Sequence, residues 1–128
     1  MLAAPLAGNA LESESLVLVE WRDPGGATDP PRYIAPLHVH HEDDEAWYVL
    51  DGVLAFRLDD EDLEASAGAA VLARRGTVHT YWNPRPEPAR YVLAMTPRIH
   101  ALIAALHAEG ADPHQVFGDH ASTLIGWP

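Results

Sequence analysis

Short apolar runs separated by prolines and glycines limit how this chain can fold more than any other feature. Eleven prolines and nine glycines divide the 128 residues, and the runs between them are rich in Val, Leu, Tyr and Trp, which is typical of brief strands joined by turns. We predict eight strands, at residues 15–21, 32–39, 46–50, 53–58, 63–66, 69–73, 78–83 and 90–96. The body of the protein is therefore predicted to be all-β.

A single dipeptide predicts one of the turns. Asp51-Gly52 separates two of the apolar runs and is typical of a two-residue type I′ hairpin turn. We therefore expect residues 46–50 and 53–58 to be antiparallel neighbours.

Three further segments are predicted to lack strand structure. The proline-rich segments 23–32 and 83–89 are expected to be loops that rim the sheet, because proline cannot donate a ladder hydrogen bond. The acidic run at 59–62 is expected to be a solvated turn.

The hydrophobic period changes from two to 3.6 after Pro97, which predicts one amphipathic helix over about residues 98–109. Gly110 stands where a helix-terminating glycine belongs. Residues 110–128 are expected to form a tail whose apolar end packs against the body. The apolar stripe of the helix consists of Ile99, Leu102, Ile103 and Leu106.

The charge and residue usage of the chain narrow its partners. Nineteen acids face eight arginines and no lysine, a formal charge of −11 at pH 7 that repels phosphate backbones and anionic lipid. We expect neither nucleic acid nor membrane as a partner, and the absence of a signal-peptide pattern predicts a cytoplasmic protein. Because there is no cysteine, any metal must bind through nitrogen and oxygen atoms.

The stretch HVHHEDDE, residues 38–45, concentrates histidines and acids. On a strand His38 and His40 share one face, and Glu45 stands where the next predicted strand begins, so the intervening residues can bring its carboxylate beside the two imidazoles. A bulge that shifted the register by one residue would put His41 in place of His40.

His79 supplies a third imidazole from a later strand, with Tyr81 and Asn83 on the same face. Together with His38, His40 and Glu45 it would form a divalent-metal site with one net positive charge and open coordination positions. The remaining acids of the cluster are expected to be solvated, and these are Glu42, Asp43 and Asp44. Four other histidines are expected to be ordinary surface or core residues, and these are His100, His107, His114 and His120.

These residues resemble the two sequence motifs of small single-domain cupins over about residues 33–96. The first motif, G(x)5HxH(x)3,4E(x)6G, is matched by His38, His40, Glu45 and Gly52, with Arg32 in place of the leading glycine. The second, G(x)5PxG(x)2H(x)3N, is matched by Gly68, Gly76, His79 and Asn83, with Arg74 in place of proline.

The resemblance implies one cupin domain over residues 1–128. Its fold would be a double-stranded β-helix, a jelly-roll-like barrel, at about residues 15–96, followed by the C-terminal helix and the tail. It also implies that His38, His40, Glu45 and His79 are the metal ligands inside the barrel. Mixed nitrogen and oxygen ligands do not distinguish Fe, Mn, Ni, Co and Zn, so we expect one divalent transition metal of unspecified identity.

The resemblance to quercetin dioxygenase-like cupins implies a metal-dependent dioxygenase for a small enolic or phenolic substrate, with Glu45 as the catalytic base. An isomerase, cyclase or decarboxylase that uses the same metal is an alternative, and so is a non-enzymatic cupin that binds a small molecule. Inward-facing aromatic residues are expected to line the substrate pocket, and these are Tyr33, Trp47, Phe56 and Tyr81.

Other strand residues face outward in the same alternation. Tyr48, Trp82 and Trp21 are expected to lie outside the barrel, where they would form a face for a homodimer. Arg57 also falls on the outward phase, so no arginine is expected inside to bind a second carboxylate.

Overall fold

Two five-stranded antiparallel sheets enclose the core in the computed structural model, which describes residues 1–128. The strands are β1 (Ala10–Glu12), β2 (Val17–Asp23), β3 (Leu37–His40), β4 (Glu45–Asp51), β5 (Val53–Leu58), β6 (Glu61–Ser66), β7 (Ala70–Ala73), β8 (His79–Trp82), β9 (Ala89–Met95) and β10 (Ser122–Gly126). The helices are α1 (Pro97–Leu106) and α2 (Pro113–Asp119). One sheet has the order β1-β2-β9-β4-β7 and the other β10-β3-β8-β5-β6. The predicted all-β barrel with a C-terminal helix is confirmed.

The core lies between the sheets and follows the alternation of the strands. In β4 the side chains of Glu45, Trp47 and Val49 are buried, whereas Tyr48 is 47% exposed. Trp47 and Val49 form one apolar cluster with alternate residues of β2 and β9 in the same sheet and of β5 in the facing sheet. Neither helix has the length and apolar character that a membrane crossing requires.

The predicted hairpin at Asp51-Gly52 is wrong, because β4 and β5 belong to different sheets. Gly52 has φ +81°, but Asp51 lacks the positive φ that a type I′ turn also needs. A Cβ atom on Gly52 would lie 2.5 Å from the carbonyl oxygen of Pro88. The glycine therefore serves a close backbone approach at the corner where the chain passes from one sheet to the other.

A true hairpin forms a few residues later, within the acidic run that was expected to be a turn. Leu58 pairs with Glu61, and Asp59 takes the left-handed φ of +53° between them. Only Asp59 and Asp60 make the turn, since Glu61 and Asp62 begin β6.

The predicted strand at residues 32–39 is mostly irregular. Only a single bridge from Tyr33 to Trp82 precedes β3, which begins at Leu37. Pro36 stands just before that strand and has no N–H to donate to a ladder.

The C-terminal region holds more structure than the sequence predicted. Helix α1 begins at Pro97, where the Thr96 side chain accepts a hydrogen bond from the Ile99 amide, and it ends at Leu106, before the predicted end. Helix α2 follows, and the expected apolar tail becomes β10, which pairs antiparallel with β3. The last strand therefore reaches the strand that carries two of the candidate ligands.

Candidate metal centre

Three histidines and one glutamate meet inside the barrel. His38 and His40 project from the same face of β3, His79 stands opposite His38 on the neighbouring strand β8, and Glu45 begins β4 in the other sheet. All four are buried, and one potential ligand atom from each lies within 4.8 Å of the others. The structure thus brings together the four residues that the two motifs suggested.

The distances between these atoms suit a shared cation. Nε2 of His38 lies 3.2 Å from Nε2 of His40, and Nε2 of His79 lies 3.1 Å from Oε1 of Glu45. Nε2 of His40 is 3.6 Å from the same carboxylate oxygen. Donor atoms bound at about 2.1 Å to one metal ion stand roughly 3.0–3.4 Å apart when they are neighbours, so the residues fit a divalent metal.

Hydrogen bonds on the far side of each imidazole orient the rings. Nδ1 of His38 lies 2.6 Å from the carbonyl oxygen of Pro36, and Nδ1 of His79 lies 2.9 Å from that of Thr77. Because a carbonyl only accepts, each Nδ1 must carry the hydrogen. Nδ1 is then the donor in both rings, and Nε2 is left to bind a metal.

Ser122 orients the His40 ring in the same way, through a hydrogen bond at Nδ1. Its hydroxyl donates to the His120 carbonyl at 3.0 Å, and its oxygen lies 2.7 Å from Nδ1 of His40, from which it accepts. The third Nε2 lone pair therefore also faces the centre, where several acceptor atoms converge without a donor between them. A bound cation relieves this repulsion, and in its absence a proton must do so.

The charge states match those that metal ligands need. Burial lowers the pKa of His38 to about 3, and the nearby His79 and His40 lower it further. Burial acts to raise the pKa of Glu45, but hydrogen bonds and charge from His40 and His79, when these rings are protonated at Nε2, outweigh it and leave the pKa at about 2. At neutral pH Glu45 is ionised and His38 is neutral, as coordination requires.

His41 does not join the centre. Its side chain is exposed, and its Nε2 lies 2.8 Å from the hydroxyl of Thr123 on β10. The alternative register, with His41 in place of His40, is therefore wrong.

The acids beside the centre differ from expectation at one position. Glu42 and Asp44 are exposed, as predicted, and pair with arginines. Asp43 is buried, contrary to the prediction, with its Oδ2 atom 3.4 Å from Nε of Arg98 and without a hydrogen-bond partner. This carboxylate faces the start of α1, so the contact helps to hold that helix against the barrel.

The other histidines lie outside the centre. His100 pairs with Glu12, and His107 and His120 each contact a carbonyl of their own helix through Nδ1. His114 is exposed near the start of α2. None of the four is among the residues that converge on the candidate metal centre.

A cavity of about 330 Å³ adjoins the centre, and His38, His40 and Glu45 form part of its wall. The rest of the wall is mainly apolar and aromatic. It is formed by Trp21, Arg22, Asp23, Ile34, Ala35, Pro36, Tyr81, Tyr91, Leu93, Ile99, Leu102, Ile103, Leu106, His107 and Phe117. Burial raises the pKa of Tyr91 to about 12 and that of Tyr81 well above its usual value.

Only Tyr81 of the four predicted pocket residues lines this cavity. Trp47 and Phe56 are fully buried in the core, and Tyr33 packs edge-on against Trp82 with ring centroids 5.3 Å apart. Residues of both helices also line the cavity, which the strand pattern did not predict. The amphipathic stripe of α1 was the available signal, because that stripe forms much of the wall.

The expected outward aromatic face is not formed. Trp21 lines the cavity and packs edge-on against Tyr91. Tyr48 and Trp82 belong to different sheets. Arg57 pairs with Asp62 at the surface, and Arg74 is exposed away from the cavity wall.

Comparisons with known proteins agree with this geometry. The family model described as "Cupin domain" matches residues 24–95. A conserved protein with a double-stranded β-helix domain from Klebsiella pneumoniae has 27% sequence identity and a TM-score of 0.57, covering 70% of this chain and 74% of that chain. No curated protein matches the sequence.

Two further solved structures share the fold at lower identity. A sugar phosphate isomerase of a cupin superfamily from Silicibacter pomeroyi is 23% identical, with a TM-score of 0.55, and the match covers 64% of this chain and 50% of that chain. A predicted oxalate decarboxylase from Thermotoga maritima is 18% identical, with a TM-score of 0.55, over 65% of this chain and 67% of that chain.

Proposed function

Because the chain belongs to the cupin domain family, whose model spans residues 24–95, we propose that it is a metal-dependent dioxygenase for a small enolic or phenolic substrate. His38, His40, Glu45 and His79 would hold one divalent transition metal, which is Fe, Mn, Ni, Co or Zn. The observation that carries the proposal is the continuity of the metal centre with a mostly apolar cavity.

The cavity favours a particular kind of ligand. Apolar and aromatic side chains cover most of its wall, so it accommodates a small ring or hydrocarbon body and excludes water around it. The ligand must also present an oxygen atom to the histidine end. An enol or a phenol combines these two properties.

Glu45 is the residue placed to move a proton. Its carboxylate is ionised, buried and part of the cavity wall, so it can accept the proton of a substrate hydroxyl that reaches the centre. The metal, when bound, would acidify that hydroxyl and support the reaction with O2. The low pKa of Glu45 makes it a weak base alone, and acidification of the hydroxyl compensates.

The same wall disfavours a sugar phosphate or oxalate, the compounds in the names of two of the three structural neighbours. A sugar phosphate or a second carboxylate needs a buried cation, and the chain has no lysine. Arg22 is the one arginine of the cavity wall, and it is exposed to solvent. Asp23, buried in the wall, would repel an anion further. A non-oxidative reaction on an uncharged substrate is the alternative that the cavity accommodates.

The test is O2 consumption by protein loaded separately with Fe(II), Mn(II) or Ni(II), across flavonols, diketones and catechols. We expect uptake with one of these classes, loss of uptake after His40→Gln, and retention after His41→Gln, its exposed neighbour. Tight ligand binding without O2 uptake or product would instead indicate a binding protein. Product formation without oxygen would indicate an isomerase, cyclase or decarboxylase.

We further propose that the protein forms a homodimer through the outer face of the sheet that contains β4 and β7. Tyr48 and Leu72 are each about half exposed on this face, and the pairing of Ala46 with Leu72 and of Tyr48 with Ala70 makes them diagonal neighbours. Light scattering should give a dimer mass that Tyr48→Glu reduces. A monomer mass for the unaltered protein at micromolar concentration would refute this assembly.

A further inference from the structure

Tyr81 and Tyr91, two residues of the cavity wall beside the metal centre, carry buried hydroxyl groups that contact each other. We propose that this hydroxyl pair binds a second oxygen of the substrate, an acceptor such as a carbonyl oxygen. The inference rests on the proposed function and narrows its substrate class to small apolar molecules that carry both a hydroxyl and a carbonyl group. One oxygen would face the histidines and the other the tyrosines.

The two tyrosines come from opposite sheets and meet inside the barrel. Tyr81 lies on β8, two residues after His79, and Tyr91 lies on β9. They are 4% and 2% exposed, and both line the same cavity as His40 and Glu45. The tyrosine side chains are therefore shielded from bulk solvent and form part of the wall that a ligand in the cavity contacts.

Neighbouring rings hold the pair in place. Phe56 stacks on Tyr81 with an interplanar angle of 14°, and Trp21 packs edge-on against Tyr91. The tyrosine rings themselves meet at 86° with centroids 5.8 Å apart. Such contacts on both rings pre-organise the hydroxyl groups before a ligand arrives.

One hydroxyl hydrogen of the tyrosine pair has no hydrogen-bond acceptor in the protein. The hydroxyl oxygens are 3.0 Å apart and share one hydrogen bond, whichever of them donates. A phenol is protonated at neutral pH, so two O–H hydrogens are present and one remains without a protein acceptor. Nε1 of Trp47 is a further buried donor, which lies beside the Tyr81 hydroxyl without a hydrogen bond of good geometry.

Asp23 is a charged acceptor of the wall near Tyr91, and its oxygens are already used. Both carboxylate oxygens of Asp23 accept from Nη2 of Arg32, at 3.1 and 3.2 Å, and Oδ2 also accepts from the Gly25 amide at 3.0 Å. This region therefore has a surplus of donors, and buried donors in proteins are normally satisfied. A ligand with an acceptor oxygen at this point supplies what is missing, whereas a purely apolar ligand does not.

The experiment compares ligands that differ only in the acceptor. We would measure the affinity of the Zn(II)-loaded protein for 2-, 3- and 4-acetylphenol and for the three ethylphenols, which keep the ring and the hydroxyl but lack the carbonyl. The 3- and 4-isomers cannot chelate one ion through both oxygens. We expect at least one of these two acetylphenols to bind about 5- to 10-fold more tightly than its ethyl counterpart, the effect of one added hydrogen bond.

Two variants test whether the tyrosine hydroxyls cause the preference for acetylphenol over ethylphenol. The double variant Y81F/Y91F should bind ethylphenol as before and lose the preference for the acetyl compound, with its Zn(II) content unchanged. Tyr33→Phe, which removes a hydroxyl outside the cavity, should keep the preference.

Two results would overturn the inference. One is equal affinity of the unaltered protein for all acetyl and ethyl pairs, which needs no variant. The other is an acetyl preference that survives in Y81F/Y91F. Because the readout is affinity for a protein with a redox-inert metal, absence of O2 uptake elsewhere would refute the dioxygenase without affecting this result.

Discussion

Replacement of Ser122 by alanine tests whether β10 helps to build the metal centre. The Ser122 hydroxyl is buried, accepts from Nδ1 of His40 and donates to the carbonyl of His120. Ser122→Ala leaves Nδ1 of the buried His40 without an acceptor, removes the donor to the His120 carbonyl and releases the His40 ring from its fixed tautomer. Loss of such an outer contact lowers metal affinity about 10- to 100-fold, which corresponds to roughly 1.4–2.8 kcal/mol.

The affinity is measured by competition for Zn(II) with a chelator of known strength, and urea unfolding of the metal-free variant measures the structural cost separately. Unsatisfied buried groups of this kind cost about 1–3 kcal/mol in stability. Both measurements are needed because a weaker fold alone would also weaken the metal site.

Thr123→Ala is the matched control. It removes the next hydroxyl along the same strand, whose partner is the exposed His41, so we expect less than about a twofold change in affinity, as for other surface substitutions. Unchanged Zn(II) affinity in Ser122→Ala, or an equal loss in Thr123→Ala, would refute the reasoning.

Three further predictions concern the centre and the barrel. In metal-free protein, the free energy of unfolding should fall by about 2 kcal/mol from pH 7 to pH 5. The reason is that the unfolded chain protonates His38 near pH 6.5, whereas the folded chain keeps it neutral down to about pH 3. If urea unfolding of His38→Gln shows the same dependence of stability on pH, this explanation is wrong. His79→Ala should lose its metal by elemental analysis and melt several degrees lower, as expected when metal binding is coupled to folding, whereas His41→Ala should keep its metal; full retention in His79→Ala would exclude it as a ligand. In urea unfolding, Gly52→Ala should lower the stability by more than about 1 kcal/mol relative to Gly68→Ala. Both glycines have positive φ, but only a Cβ atom at residue 52 would collide with backbone atoms. Equal effects of the two substitutions would rule out the close approach.

Strand alternation predicted which ligands share a face, and the two cupin motifs completed the set with His79. His38 and His40 lie on one face because they are two residues apart, and Glu45 shares the inner face of β4 with Trp47 for the same reason. Local spacing also predicted the apolar stripe of α1. These features follow from the periodicity of a strand or a helix, which can be recognised in a short stretch of sequence.

Features set by distant contacts were not predictable in this way. The positive φ of Gly52 fits a hairpin as well as a corner, and the approach of Pro88 decides between them. Trp47 and Phe56 point inward as alternation requires, but the interior is divided between packed core and open cavity. That division depends on where α1 packs, which no strand pattern encodes.

The hydrogen bond between His40 and Ser122 joins residues that are 82 positions apart. During synthesis at roughly 5–20 residues per second, about 4–16 s separate the emergence of these two residues. His38, His40 and Glu45 therefore leave the ribosome well before the strand that fixes the His40 ring. A nascent chain without β10 therefore holds its ligands without the contact that orients His40, and we expect it to bind metal more weakly than the finished chain.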